Sequence, residues 1–167
     1  MKHLNPFNKL AKVIEELEFY WNKSSVRYGP VASSLELDEF YQKNKLLLPD
    51  DLFKYFLRLN GTFNEYDDNL FEFNSLSKFQ IISEYFKEWD GIPDYTPLII
   101  KEEIQDYFIF ANHEFHLFSY GIRLYKEPTE FNEVRVFCGA ESKQIGNSFS
   151  DFITLYLSFS DMLFFQS

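Results

Sequence analysis

The stretch Leu46–Gly61, LLLPDDLFKYFLRLNG, constrains the fold more tightly than any other part of the chain, because both ends of a helix are written into it. Proline suits the first helical turn, where its missing N–H would lack a partner anyway and its φ is already helical, and Pro49 takes that place after Leu48. Asp50 and Asp51 follow, where carboxylates meet the positive end of the helix dipole. Leu52, Tyr55, Phe56 and Leu59 recur at i, i+3, i+4 and i+7 and lay an apolar stripe along one side. Asn60-Gly61 then supplies two residues that tolerate the left-handed backbone of a helix C-cap. The segment predicts a short helix that must bury one face, and it holds no nucleophile, base or ligand set.

The rest of the chain supplies what that face packs against. Asn5 as N-cap and Pro6 at the first position open an earlier helix, with Phe7, Leu10, Ile14, Leu17 and Trp21 on one side. Gly29-Pro30 marks a connection, and a second helix starts near Ser33-Ser34 with Leu37, Phe40 and Tyr41 turned inward. After a polar loop, Leu70, Phe71 and Phe73 read as a short strand. Ser75 or Ser77 caps a further helix running to Trp89, with Phe79, Ile82, Phe86 and Trp89 aligned. From Leu98 the pattern becomes strand-like: Leu98–Ile100, Tyr107–Ala111, Phe115–Tyr125 and Glu133–Cys138, with a hairpin turn at Asn112-His113. Ser148 caps a last helix whose buried side is Phe149, Phe152, Ile153 and Tyr156. The hydrophobic tail through Phe164-Phe165 is expected to dock on the core, the alternative being that it presents Phe164 and Phe165 to a partner. Helices, then strands, then a helix predict an α+β fold with a central, mostly antiparallel sheet, flanked by N-terminal helices and a C-terminal helix. No repeat or composition shift divides it, so residues 1–167 read as a single domain.

Aromatic residues make up 20% of the chain and phenylalanine alone contributes 21, which argues for a dense core with rings left for a surface. The net charge is −10, from 26 acids and 16 bases. Nucleic acid and anionic membranes need a basic footprint and are disfavoured as partners, whereas a basic protein is favoured. The single Cys138 excludes an internal disulfide and points to a reducing compartment. With no signal-like N-terminus and no apolar run long enough for a span, the expectation is a cytoplasmic protein.

Chemistry-bearing patterns are sparse. If this segment is a strand, His113 and His116 project to opposite faces and cannot share an ion; a turn could bring them together, but no Cys or second acidic ligand lies nearby at a recognised spacing. Cys138 follows Val134, Val136 and Phe137 in a strand-like run and reads as a structural thiol. There is no nucleophile elbow and no glycine-rich phosphate loop. The sequence therefore assigns no catalytic, metal or cofactor residue, and the expectation is a protein that is not an enzyme. Paired carboxylates for hydrolysis stay an alternative because acids are abundant.

The charge map is more informative. Between Arg58 and Lys78 no base occurs, while Glu65, Asp67, Asp68 and Glu72 contribute −4. From Glu88 to Ile122 seven acids face only Lys101, giving −6. These acids interleave with Tyr66, Phe71, Trp89 and Tyr95; aromatic anchors with steering charges make a recognition surface, and the alternative is a solvated loop surface with its aromatics turned inward. Glu65, Tyr66, Asp67, Asp68, Glu72, Trp89, Asp90, Asp94 and Tyr95 are its candidate contact residues.

Several passages in order carry a resemblance to a known family: LPDDLFKYFLRLNG, then YFIFANHEFHLFSYGIRLY, NEVRVFCG and NSFSDFITLYL. Together they resemble the SUKH superfamily (the Smi/Knr-like family), with Leu48, Pro49, Asn60, Gly61, Ser148 and Phe149 as its signature positions here. An acidic, glycine-rich turn found in some members is replaced by Asn112-His113-Glu114. The resemblance implies a SUKH-like α+β domain and a non-catalytic immunity protein that binds and neutralises a cognate toxin, often one acting on nucleic acid. A regulatory scaffold on the same fold, with other cellular partners, is the alternative it leaves open.

Overall fold

The computed structural model describes residues 6–165 and shows an α+β fold built on one antiparallel sheet. Its strands are β1 (Phe71–Phe73), β2 (Gln80–Ile81), β3 (Tyr107–His113), β4 (Phe118–Arg123), β5 (Val134–Cys138) and β6 (Glu141–Gly146). The order is β1-β3-β4-β5-β6, and β2 lies on the same flank of β3 as β1. Four helices, α1 (Pro6–Lys23), α2 (Ser34–Asn44), α3 (Asp50–Arg58) and α6 (Phe149–Leu157), contribute to a large core on one face. Two four-residue helices, α4 (Ile82–Tyr85) and α5 (Thr96–Ile99), belong to a segment folded over the other face.

Side-chain alternation divides the two faces. In β4, Tyr120 and Ile122 enter the large core, while Ser119 and Gly121 face the smaller cluster; in β5, Val136 and Phe137 part in the same way. A bulge between Ile109 and Ala111 interrupts the alternation in β3, so Phe110 and Ala111 both serve the large core. Beyond it, Asn112 pairs with Glu72 of β1 on the second face. The extra residue thus re-aims the end of the strand, as bulges do.

The stripe of α3 is fully buried at Leu52, Tyr55, Phe56 and Leu59, and α1 and α6 add Ile14, Leu17, Trp21, Phe149, Phe152, Ile153 and Tyr156. Phe73 sits among them, with ring centroids 5.1 Å from Trp21 and 4.9 Å from Tyr156. Two buried polar connections run through this core. Trp21 Nε1 donates to Tyr156 OH at 3.0 Å, and that hydroxyl donates to the carboxylate of Asp67. Asp51, 3% exposed, accepts from Ser150 N at 2.8 Å and Ser150 Oγ at 2.9 Å, tying the starts of α3 and α6 together. Burial pushes its carboxyl above the ordinary range, and these donors oppose the shift. At Gly61, φ is +88° and an added Cβ would lie 2.7 Å from Phe73 O and Ser75 N, so this chain reversal requires glycine.

Several expectations need correction. Ser75–Trp89 is not one helix: a 3-10 turn (Leu76–Lys78), β2 and α4 replace it, because Phe79 packs into the large core while Ile82 and Phe86 pack into the smaller one. One continuous helix face could not serve both. Leu98 and Ile99 are helical, in a turn opened by Thr96-Pro97, with Leu98 buried; Ile100 follows as the cap and is 76% exposed. Asn112 and His113 remain in β3, and the hairpin turn comes later. Tyr41 is exposed, because α2 turns only Leu37 and Phe40 inward. Pro49 stands one residue before α3 with extended ψ, and β6 was not anticipated. Leu163 is fully buried and Phe164 and Phe165 pack against the core, so the tail docks. Asn5 and the side chains of Phe7 and Leu10 lie outside the described residues.

Candidate functional site

The turn joining β3 to β4 holds three consecutive residues in left-handed backbone: Glu114, Phe115 and His116, with φ of 51°, 54° and 69°. Each such non-glycine residue costs about 1–2 kcal/mol, so the conformation persists only where surrounding contacts impose it. Those contacts are present. Glu114 N donates to Leu70 O at 2.9 Å, His116 N to Asn112 Oδ1 at 3.1 Å, and Tyr95 OH to His116 O at 2.7 Å. The imidazole Nε2 of His116 shares a 2.9 Å hydrogen bond with Tyr85 OH. What the turn presents is Phe115, 64% exposed, with its ring centroid 4.6 Å from that of Tyr66.

This turn is the point on which the two acidic-aromatic windows meet. From the first, Tyr66 OH donates to Asn112 Oδ1 at 2.8 Å, and Asn112 Nδ2 reaches Glu72 Oε1 at 3.4 Å. From the second, Trp89 packs 5.1 Å from the His116 ring and donates to Pro93 O, and Tyr95 lies under the turn, stacked 3.9 Å from Phe86. Glu65, Asp68, Asp90 and Asp94 are exposed, with Glu65 paired to Arg27 at 3.6 Å. Asp94 accepts from Thr96 N at 2.9 Å, and hydrogen bonds from the Thr96 side chain and backbone hold its carboxyl below the usual range.

Two of the expected contact residues are not available to a partner. Asp67 is 7% exposed and accepts from Asn69 N, Phe71 N and Tyr156 OH, so it anchors its own loop to the large core. Tyr95 is fully buried and serves as a post for the turn. Conversely Phe115, His116, Tyr85 and Asn112 were not anticipated as site residues. The run Asn-His-Glu between two strand-like stretches signals a turn, but nothing in it says which side chain is displayed.

Burial and the charge of Lys78 push the His116 imidazole down to about 4, so it is neutral at physiological pH. Burial first, then the charge of Glu72, pushes the Tyr66 hydroxyl up to about 12. Burial likewise raises Tyr85 and Tyr95. Glu72 itself is half-buried, and its carboxyl is raised by that burial against the opposing pull of Lys78. The hydroxyls and the ring exchange hydrogen bonds as neutral groups, and the Glu72 carboxyl joins this network through Asn112. Elsewhere, His113 packs between Phe71 and Phe164, away from His116. Cys138 is half-buried, with its thiol pushed up by burial, which disfavours a nucleophilic thiolate. Among the described residues no group of three or more His, Cys, Asp or Glu is placed to hold a metal ion.

A separate groove of about 810 Å³ lies between α2 and the β2 region, lined by Glu36, Glu39, Phe63 and Glu84 among others. Glu36 is occupied in capping α2, accepting from Ser33 N at 2.7 Å. Among the described residues no helix is long and apolar enough to cross a membrane. No known family model matches this chain, and no curated protein matches it.

Proposed function

We propose that this chain is a binding protein whose contact surface centres on the β3–β4 turn and whose partner is a positively charged protein. The observation that carries the proposal is Phe115, an exposed ring held out by a turn of three left-handed residues that the fold sustains at an energetic cost. Strain of this kind concentrates at functional sites, and aromatic residues, phenylalanine among them, are enriched in the cores of protein interfaces. Glu65, Asp68, Asp90, Asp94 and Glu114 are exposed on the segments that converge there, in a chain of net charge −10. Charges so placed speed encounter with a basic partner and fix its orientation.

Joined to the resemblance to the SUKH superfamily, this supports an immunity protein that neutralises a cognate toxin by covering its working surface. Growth rescue tests it: the product of the coding region beside this gene is expressed alone, where it should arrest growth, and then together with the protein and its variants. Wild type is expected to restore growth. Phe115→Ala should abolish rescue while remaining folded, and Asp90→Lys with Asp94→Lys should weaken it in a salt-dependent way. Full rescue by Phe115→Ala would overturn the surface, and an absence of rescue by wild type would overturn immunity in favour of a scaffold for another partner.

A further inference from the structure

Glu72 is an unusual carboxylate in this molecule. It points from β1 onto the second face, opposite Asn112, and is half-buried there. Its hydrogen bond from Asn112 Nδ2 is long, at 3.4 Å, and no ion pair to it forms among the described residues. Lys78 affects it through the field alone. A charge removed from water without a partner is costly, and cost of this kind is relieved by a cation brought from outside.

The surroundings narrow the choice of cation. Tyr66 shares Asn112 with the carboxylate, its hydroxyl donating to Oδ1 at 2.8 Å, and the carboxylate's charge acts to raise both the Tyr66 and Tyr85 hydroxyls. Tyr85 also accepts from Asn74 Nδ2 at 3.3 Å, and the Oδ1 of Asn74, 1% exposed, has no hydrogen-bond partner. One buried acceptor beside Tyr85 thus lacks a donor. Aromatic rings belong to the same network, with Phe115 tilted at 45° against Tyr66, centroids 4.6 Å apart. A guanidinium group is flat, carries five donors, stacks on rings and sheds water more readily than an ammonium.

We infer that Glu72, with Tyr66, Tyr85 and Phe115 around it, forms a seat for an arginine side chain of the partner protein. This rests on the proposal that the partner is a basic protein, and adds which side chain anchors it. The Asn112 amide, bonded to Glu72 and Tyr66 together, reports on occupancy.

The test uses the full chain labelled with ¹⁵N and three capped tripeptides, Gly-Arg-Gly, Gly-Lys-Gly and Gly-citrulline-Gly. The arginine peptide is expected to shift the Asn112 side-chain amide and the Glu72 and Phe115 backbone resonances in a saturable manner. Citrulline has the same shape without the charge and should leave them unmoved, and lysine should bind about tenfold more weakly. Glu72→Gln should remove the response. Lys78→Ala, an exposed change that does not depend on how Glu72→Gln folds, should tighten binding roughly two- to threefold by removing a competing positive field. Equal responses to arginine and citrulline, equal affinity for lysine, no effect of Lys78→Ala, or shifts confined to Asp90 and Asp94 would each overturn the assignment. No toxin is present in this experiment, so its failure leaves the growth-rescue proposal standing, and failure of rescue leaves the arginine seat standing.

Discussion

One face of the sheet lies under α1, α3 and α6, each with a fully buried apolar stripe; the other lies under Ile82–Asp106, whose α-helical pieces are two four-residue turns. Helices that short have almost no stability of their own and exist because Ile82, Phe86, Leu98 and Ile104 pack against Ile109 and Phe137. The first face is cross-tied over long sequence distances by Trp21–Tyr156–Asp67 and by Asp51–Ser150. The second is held chiefly by rings and by Tyr95 beneath the turn. The comparison teaches where the molecule can open. Local unfolding takes the segment with the fewest buried contacts, and the candidate site sits at the margin of that segment.

The largest expected effect tests the thick face. Phe73→Ala should cost about 3–5 kcal/mol in urea unfolding and lower the stability of the whole molecule. Asp51→Ala should follow, at about 2–4 kcal/mol, because Ser150 N and Oγ lose a charged acceptor in a buried place. Ile82→Ala on the thin face should also cost about 2–4 kcal/mol by area and cavity alone. There, however, hydrogen exchange should quicken across residues 82–106 well before it does in β3, β4 and β5. If exchange rises uniformly instead, the two faces form one cooperative unit and the contrast fails.

A smaller effect comes from His116. Its folded value, about 4, lies below the ordinary 6.5, so between those pH values the unfolded chain holds a proton that the folded chain does not. Its contribution is complete above pH 6.5 and is lost as pH falls towards 4, amounting to about 1–2 kcal/mol once its partial exposure is allowed for. Burial shifts His113 in the same direction, while the raised carboxyls of Glu72 and Asp51 act the opposite way. The measurement is therefore the difference between wild type and His116→Gln across that window, which should narrow as pH falls. Smallest of all, Phe115→Gly should alter stability by only about 0.5 kcal/mol, since the lost ring contact with Tyr66 offsets relief of left-handed strain.

The same contrast governs what could be read from the residues alone. Local signals were enough for α3 and α6: a cap, a stripe and a stop lie within a dozen residues, and Leu52, Tyr55, Phe56, Phe149 and Phe152 are buried as the spacing implies. The thin face was not legible. Phe79, Ile82, Phe86 and Trp89 keep helical spacing, yet they divide between two cores that only the folded sheet creates. In β6, Ile145 is the one buried apolar side chain, too little alternation to mark a strand. At the site, the acidic-aromatic character of 65–72 and 89–95 was visible, but their convergence on residues 114–117 was not. Asp67 is indistinguishable from its neighbour Asp68 in sequence, and only the three donors around it show that it faces inward.

The docked C-terminal tail bears on how the protein comes into being. A ribosome delivers a chain from its amino end, at about 5–20 residues per second, and the thick face needs Phe152, Tyr156 and Leu163 before it is dry. Until they emerge, Trp21, Phe71 and Phe73 have no roof, and Asp51 waits for a partner 99 residues further on. The smaller cluster has all its members by Phe137. The nascent protein can thus assemble its less stable side first, and its sturdier side closes only after Leu163 has emerged.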